Sequence, residues 1–160
     1  MVTINIFCIG KLKEKYLSLA CDEYCKRMGP FAKLTVCELP EYKLPAQPSK
    51  AEISQAIEME SNSIIERILP HSYTITLCIE GKQIDSVALS DKIGNIALSG
   101  ISKINFVIGG SFGLSSSIKQ KSDFCLSMSK MTFPHQLARV MLLEQIYRAF
   151  QINSGGKYHK

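Results

Sequence analysis

Apolar positions along this 160-residue chain follow two different periods in turn. Five short segments carry apolar and β-branched residues at every second position or in a continuous run, which is typical of strands. The predicted strands are residues 2–9, 33–39, 73–79, 103–108 and 124–128. Glycine follows the first of them directly, and Glu80-Gly81 is expected to end the third.

Between these strands the apolar residues recur every three or four positions, which predicts helices with one apolar face. The predicted helices are residues 11–28, 50–69, 86–98, 116–121 and 136–152. Because strands and helices alternate, the sequence predicts an α/β fold with a mostly parallel sheet flanked by helices. The chain has no internal repeat and no clear linker, so residues 1–160 are expected to form one domain.

Composition narrows the class of protein only a little. Apolar residues make up 46% of the chain and charged residues 21%, which is ordinary for a globular protein and excludes a disordered one. The net charge of +5 suits contact with RNA phosphates, but on charge alone a protein that never binds nucleic acid is slightly favoured. No apolar run is long enough to span a membrane, and no signal peptide is evident, so a cytoplasmic protein is expected.

The cysteine pattern also favours a cytoplasmic protein. None of them forms a C-x-x-C pair, and most lie inside apolar segments. We therefore expect reduced thiols within the core of a protein from a reducing environment. The spacing does not favour a metal site, and no metal is expected.

Three loops are expected to meet at one edge of the sheet. They are residues 77–81 after the third strand, the glycine loop 109–114 after the fourth, and residues 127–135 after the fifth. In open α/β sheets ligands bind outside the carboxyl ends of the strands, so these loops predict a ligand site. The G-x-G-x-x-G dinucleotide fingerprint is absent, and a tight turn without a ligand remains the alternative for the glycine loop. His135 alone is more simply read as a packing residue at the start of a helix.

The last predicted helix carries more apolar surface than one contact with a sheet requires. Leu142, Ile146 and Phe150 form one stripe, whereas Leu137 and Met141 lie on another side. A surplus of this kind predicts a partner helix and hence a homodimer.

The C-terminal tail combines a flexible Gly155-Gly156 pair with charge, an aromatic ring and an imidazole, which an RNA site could use. The simpler reading is an idle terminus, and its removal is expected to cost little stability. Likewise, the simpler role for Arg148 is an ion pair with Glu144 one helical turn away.

Six segments together resemble the ribosomal RNA large-subunit methyltransferase H family over nearly the whole chain. They are IGKLKEKY at 9–16, LCIEGK at 77–82, FVIGGSFGL at 106–114, LSMSKMTFPH at 126–135, EQIYRAF at 144–150 and the C-terminal pair Tyr158-His159. The resemblance implies a SPOUT fold with a C-terminal trefoil knot, and a homodimer. The implied reaction transfers a methyl group from S-adenosylmethionine to N3 of a pseudouridine in large-subunit (23S) ribosomal RNA, within assembled ribosomes.

The resemblance also implies the cofactor contacts. These are Leu77, Gly109, Met128, Ser129, Lys130, Met131, Thr132 and Phe133. Variation inside the run 128–133 between relatives fits recognition through the backbone.

Methyl transfer to N3 releases a proton, so a general base of near-neutral pKa would help. His159 is the candidate base, Tyr158 is expected to stack or orient the substrate, and Arg148 to hold a phosphate or the uracil carbonyls. Two other readings stay open. One is a knotted methyltransferase acting on transfer RNA or a ribose hydroxyl, and the other is a ribosome-associated RNA-binding or assembly factor without chemistry.

Overall fold

Strands and helices alternate along the whole chain, as the periodicity predicts. The computed structural model describes residues 1–160. The elements are β1 (Thr3–Ile9), α1 (Lys15–Met28), β2 (Lys33–Leu39), α2 (Lys50–Ile65), β3 (Tyr73–Gln83), α3 (Ser86–Leu98), β4 (Lys103–Ile108), α4 (Ser116–Lys121), β5 (Phe124–Ser127) and α5 (His135–Asn153).

The five strands form one sheet in the order β2-β1-β4-β3-β5, and every neighbouring pair is parallel. The predicted α/β class with a parallel sheet is therefore confirmed. Because all five strands run in the same direction, their carboxyl ends lie along the same edge of the sheet. The loops that leave these ends are consequently the ones that can meet.

Alternate residues of the central strands pack on opposite faces of the sheet. Ile4, Ile6 and Cys8 of β1 belong to the larger core cluster, which also contains the buried residues of α1, α3 and α5. Phe7 and Ile9 belong to a second cluster with α2 and α4. The sheet is thus covered by three helices on one face and by two on the other.

Strand β3 does not end at Glu80-Gly81 as predicted, but continues to Gln83. Leu77 and Lys82 both pair with Leu126 of β5, so residues 78–81 arch out of the sheet between them. A Cβ on Gly81 would lie 2.6 Å from the carbonyl oxygen of Cys125, so only glycine permits this approach. The glycine that suggested a strand end instead allows the strand to resume.

Helix α1 begins at Lys15, four residues later than predicted, because residues 11–14 form a separate connection after β1. The other helix boundaries agree with the prediction to within a few residues. None of the helices has both the length and the apolar composition that crossing a bilayer requires.

The expectation of core cysteines is confirmed for two of the six. Cys8 and Cys21 are buried, while the other four are half-buried. Burial raises the pKa of Cys8 to about 12, with the nearby Arg139 guanidinium opposing the shift. Its thiol is therefore protonated at neutral pH and packs as a small apolar group.

Candidate active site

A cavity of about 770 Å³ opens at the carboxyl edge of the sheet, where β3, β4 and β5 end. Its wall comes from residues 77–80, residues 108–114 and most of residues 126–135, with Lys119 and Ala138. The three loops predicted to converge therefore do so.

Seven of the eight residues expected to contact a cofactor line this cavity. They are Leu77, Gly109, Met128, Ser129, Met131, Thr132 and Phe133. The eighth, Lys130, is exposed and stands outside the lining.

The glycine loop forms a tight turn through contacts among its own glycines. A Cβ on Gly109 would lie 2.7 Å from the carbonyl carbon of Gly113, and Gly113 has φ +87°. The Gly113 N–H also donates to the Gly110 carbonyl at 3.1 Å. Two of these glycines are therefore required by the turn itself, which is the tight-turn alternative that the sequence left open for this loop.

The segment 128–133 leaves most of its backbone polar groups without protein partners. None of these residues takes part in a backbone–backbone hydrogen bond. Two side-chain contacts shape the segment: Ser127 Oγ donates to the Ser129 carbonyl at 3.1 Å, and the Met131 N–H donates to Ser129 Oγ at 3.0 Å. A run of free amide and carbonyl groups along a largely apolar wall is typical of a small-molecule site.

Three titratable side chains line the cavity: Glu80, Lys119 and His135. Lys119 forms an ion pair with Glu80. Burial lowers the pKa of His135. The negative charge of Glu41 opposes this shift, and the positive charges of Arg139 and Lys13 reinforce it. No group of three or more His, Cys, Asp or Glu side chains is arranged to hold a metal ion.

Arg139 is the residue of this region that sequence reasoning missed. Its guanidinium is only 2% exposed, donates from Nη1 to Glu38 Oε2 at 2.7 Å, and from Nη2 to the Gly10 carbonyl at 3.0 Å. These bonds connect the beginning of α5 to the ends of β1 and β2. The available signal was an arginine at helical spacing from Leu142 and Ile146, on the apolar stripe of α5.

The three predicted catalytic residues form one cluster. Arg148 donates to Glu144 from Nη2 at 2.7 Å and bonds His159 Nδ1 through Nη1 at 3.2 Å. The Tyr158 hydroxyl donates to Glu144 Oε1 at 2.9 Å, and its ring packs edge-on against Tyr147 at 4.9 Å. Arg148 also lies over the Tyr158 ring, 4.7 Å from its centroid. The predicted ion pair between Glu144 and Arg148 is present.

The electrostatics of this cluster keep Tyr158 neutral and Arg148 charged. Burial and the hydrogen bond to Glu144 raise the pKa of Tyr158 to about 12. The same carboxylate raises the pKa of Arg148 through its hydrogen bond. Tyr158 is therefore a hydrogen-bond donor and not a base near neutral pH.

The cluster lies beside the cavity and not inside it. A smaller depression of about 360 Å³ is lined by Glu144, Arg148, Ser86, Met141, Gln145 and Met128. Met128 lines both spaces, whereas neither Tyr158 nor His159 lines the cavity. The tail is also docked, since Tyr158 and His159 are half-buried against α5. The expectation that removing it costs little stability therefore has to be revised.

Comparison with known proteins agrees with this geometry. A family model described as "Predicted SPOUT methyltransferase" matches residues 2–159. A protein of Methanococcus maripaludis named "Putative ribosomal RNA large subunit methyltransferase H" is 50% identical over 159 residues, covering 99% of this chain and all of the relative. The resemblance noted in the sequence is thereby confirmed.

The fold is also found among solved structures, as the following example shows. One such structure is described as a "probable methylase family protein" from Haemophilus influenzae, with a TM-score of 0.54, 16% identity, and coverage of 98% of this chain and 70% of that one. On the family match and the full-length similarity together, the chain belongs to the SPOUT methyltransferase family, whose members use S-adenosylmethionine as the methyl donor.

Proposed function

We propose that this protein methylates N3 of a pseudouridine in large-subunit ribosomal RNA, with S-adenosylmethionine held in the 770 Å³ cavity. The observation that carries the proposal is the segment 128–133 along that cavity, most of whose backbone groups have no protein hydrogen-bond partner. The RNA class comes from the name of the methanogen relative, which is similar over its full length.

The cavity fits S-adenosylmethionine in size and chemistry. Its volume is within the usual range for small-molecule sites, about 300–1,000 Å³. Leu77, Met128 and Phe133 supply apolar surface, and the free amides and carbonyls of 128–133 can hydrogen-bond the polar groups of the cofactor. When bound, the cofactor supplies a methyl group on a sulfonium, which leaves as a neutral thioether.

The order of the elements supports the trefoil knot that the resemblance implies. Strand β5 is at one edge of the sheet, outside β3, yet α5 packs against both α1 and α3. We propose that the segment between β5 and α5 crosses the connection from β3 to α3, which would give this placement. Such threading is rare in proteins, and it would put both crossing segments at the cavity.

Arg148, Tyr158 and His159 are proposed to act on the acceptor base. Arg148 can only donate, so His159 Nδ1 accepts its hydrogen bond and the ring proton is on Nε2. In this arrangement His159 has no free lone pair for the N3 proton. We propose that RNA draws Arg148 onto a phosphate or a uracil carbonyl, which releases Nδ1 to act as the base.

The position of the cluster supports a homodimeric enzyme. Tyr158 and His159 do not line the cavity of their own chain, so a second copy is proposed to bring them to its partner's cavity. Exposed apolar side chains near the cavity are available for such a contact: Met131 is 75% exposed and Leu137, on the first turn of α5, is 37% exposed.

The test is methyl transfer to ribosomes from cells that lack the protein, with the product nucleoside identified. We expect 3-methylpseudouridine in the large-subunit RNA. A methyl group on transfer RNA or on a ribose hydroxyl would replace the proposed substrate. Binding to ribosomes with no transfer in the presence of S-adenosylmethionine would favour an assembly factor instead.

A further inference from the structure

The connection between β1 and α1, together with the first two residues of α1, presents a basic and aromatic surface next to the cavity. Lys11, Lys13, Lys15 and Tyr16 are all exposed, and Tyr16 is 68% exposed. We call these four residues the β1–α1 surface. Glu14 lies within the same segment and the Glu41 carboxylate lies next to Gly10, so three lysines face two carboxylates and the surface keeps a small excess of positive charge.

Hydrogen bonds and core packing fix the backbone that carries this surface. Gly10, at φ +80°, donates to the Leu39 carbonyl at 2.7 Å and accepts from the buried Arg139 at 3.0 Å. Leu12 packs against the main core cluster, and the Lys13 N–H donates to Gln136 Oε1 at 3.0 Å. The lysines and the tyrosine therefore project from a fixed backbone, which lowers the entropy lost when they bind a ligand.

The same bonds fix the position of the surface relative to the cavity. Gln136, which accepts from Lys13, follows His135 and Pro134, and both of those residues line the cavity. The positive charge of Lys13 is also near enough to His135 to lower the pKa of the imidazole. A chain molecule that inserts one of its units into the cavity would therefore pass next to the β1–α1 surface.

We propose that the β1–α1 surface binds the single-stranded ribosomal RNA next to the target nucleotide, a proposal that rests on the function proposed above. The three lysines contact backbone phosphates, and Tyr16 stacks on an unpaired base. Lysines on a fixed backbone with an exposed aromatic ring are the features that bind single-stranded nucleic acid without reading its sequence. The surface thus adds affinity and leaves the choice of nucleotide to the cavity.

The experiment measures binding to methyl-free large ribosomal subunits at several salt concentrations. The test variant combines Lys11→Ala, Lys13→Ala and Lys15→Ala, and a second variant is Tyr16→Ala. The control combines Lys26→Ala, Lys33→Ala and Lys103→Ala, which removes the same charge at the amino ends of strands and at the end of α1. Affinity for S-adenosylmethionine and sedimentation are measured for each variant.

We expect the test variant to bind subunits roughly 10- to 100-fold more weakly at low salt, with the slope of log K against log salt shallower by about 2, since each lost phosphate contact removes about 0.7. Tyr16→Ala should weaken binding several-fold with little change in slope. The control should keep the wild-type slope, and all variants should keep their cofactor affinity.

Three results would overturn the inference while leaving the proposed function intact. They are equal losses in the test and control variants, a loss of cofactor affinity in the test variant, and its dissociation to monomers, which would make the surface a contact between copies. If the wild-type protein itself transfers no methyl group to these subunits, the proposed function fails, and the salt dependence of wild-type and variant binding still decides whether the surface contacts RNA.

Discussion

Arg148 and His159 form a single unit, with Nη1 of the guanidinium 3.2 Å from Nδ1 of the imidazole. The two residues are eleven positions apart, and the tail turns back along α5 to bring them together. Because arginine cannot accept a hydrogen bond, this contact selects the imidazole tautomer that carries its proton on Nε2. A substrate that binds Arg148 in place of His159 would therefore free Nδ1 of the imidazole to accept a proton.

The first prediction concerns His159 as the base. His159→Ala should lower the single-turnover methyl-transfer rate by roughly 10²- to 10⁴-fold, and the rate should recover in part at high pH, where N3 ionises unaided. Arg148→Lys, which keeps the charge but loses the planar fork, should weaken RNA binding more than it alters this pH profile. A loss in His159→Ala that appears only in RNA affinity, without recovery at high pH, would make His159 a positioning residue.

The second prediction concerns the docked tail. Tyr158→Phe keeps the ring against Tyr147 but removes the hydroxyl bond to Glu144, so it should cost about 0.5–1.5 kcal/mol of unfolding free energy. Deletion of residues 158–160 should cost more, because the ring packing is lost as well. Urea unfolding measures both, with deletion of the exposed Lys160 alone as control. Equal stability of all three variants and the wild type would mean that the tail does not contribute to the folded state.

The third prediction concerns the glycine loop. Gly109→Ala puts a Cβ 2.7 Å from the Gly113 backbone, so the loop must shift and the affinity for S-adenosylmethionine should fall at least tenfold. Gly100→Ala is the control, because Gly100 has φ +91° but is outside the cavity. That variant should lose about 1–2 kcal/mol of stability and keep its affinity. Calorimetry that finds unchanged affinity in folded Gly109→Ala would remove this loop from the cofactor site.

The fourth prediction concerns the Glu38–Arg139 ion pair, whose two side chains differ in their exposure to solvent. The Arg139 side chain is 2% exposed and that of Glu38 is 36% exposed. Glu38→Ala leaves a buried guanidinium without its counter-charge and should cost about 3 kcal/mol. Arg139→Met leaves a carboxylate that water can reach, so its cost should be smaller, about 1–2 kcal/mol. Urea unfolding of both variants tests the order, and the reverse order would contradict the assignment of the buried partner.

The fifth prediction concerns assembly. Sedimentation of the wild-type protein at micromolar concentration should give a dimer. Leu137→Glu should release monomers that transfer no methyl group, because Tyr158 and His159 of a second copy no longer reach the cavity. Leu98→Glu is the matched control, since Leu98 is 86% exposed at the end of α3, and it should remain dimeric. A monomer with full activity would exclude a site shared between two copies.

The sequence by itself determined the class of fold and the loops at the site. Local periodicity distinguishes strands from helices because side-chain positions repeat every two residues in a strand and about every 3.6 in a helix. Parallel strands put the ends of β3, β4 and β5 at one edge, which predicts that their loops can meet, and the strand order β4-β3-β5 in the structure makes these three ends neighbours.

Only the tertiary structure decided which contacts those residues make. Gly109 meets Gly113, and Gly81 meets the backbone of Cys125 on another strand, and no local pattern reveals either partner. Arg139 is buried because Glu38, 101 positions earlier, provides its counter-charge. Tyr158 is ordered because Glu144 and Tyr147 hold it. Burial and pairing are properties of residues distant in the chain, whereas periodicity records only the backbone geometry of each segment.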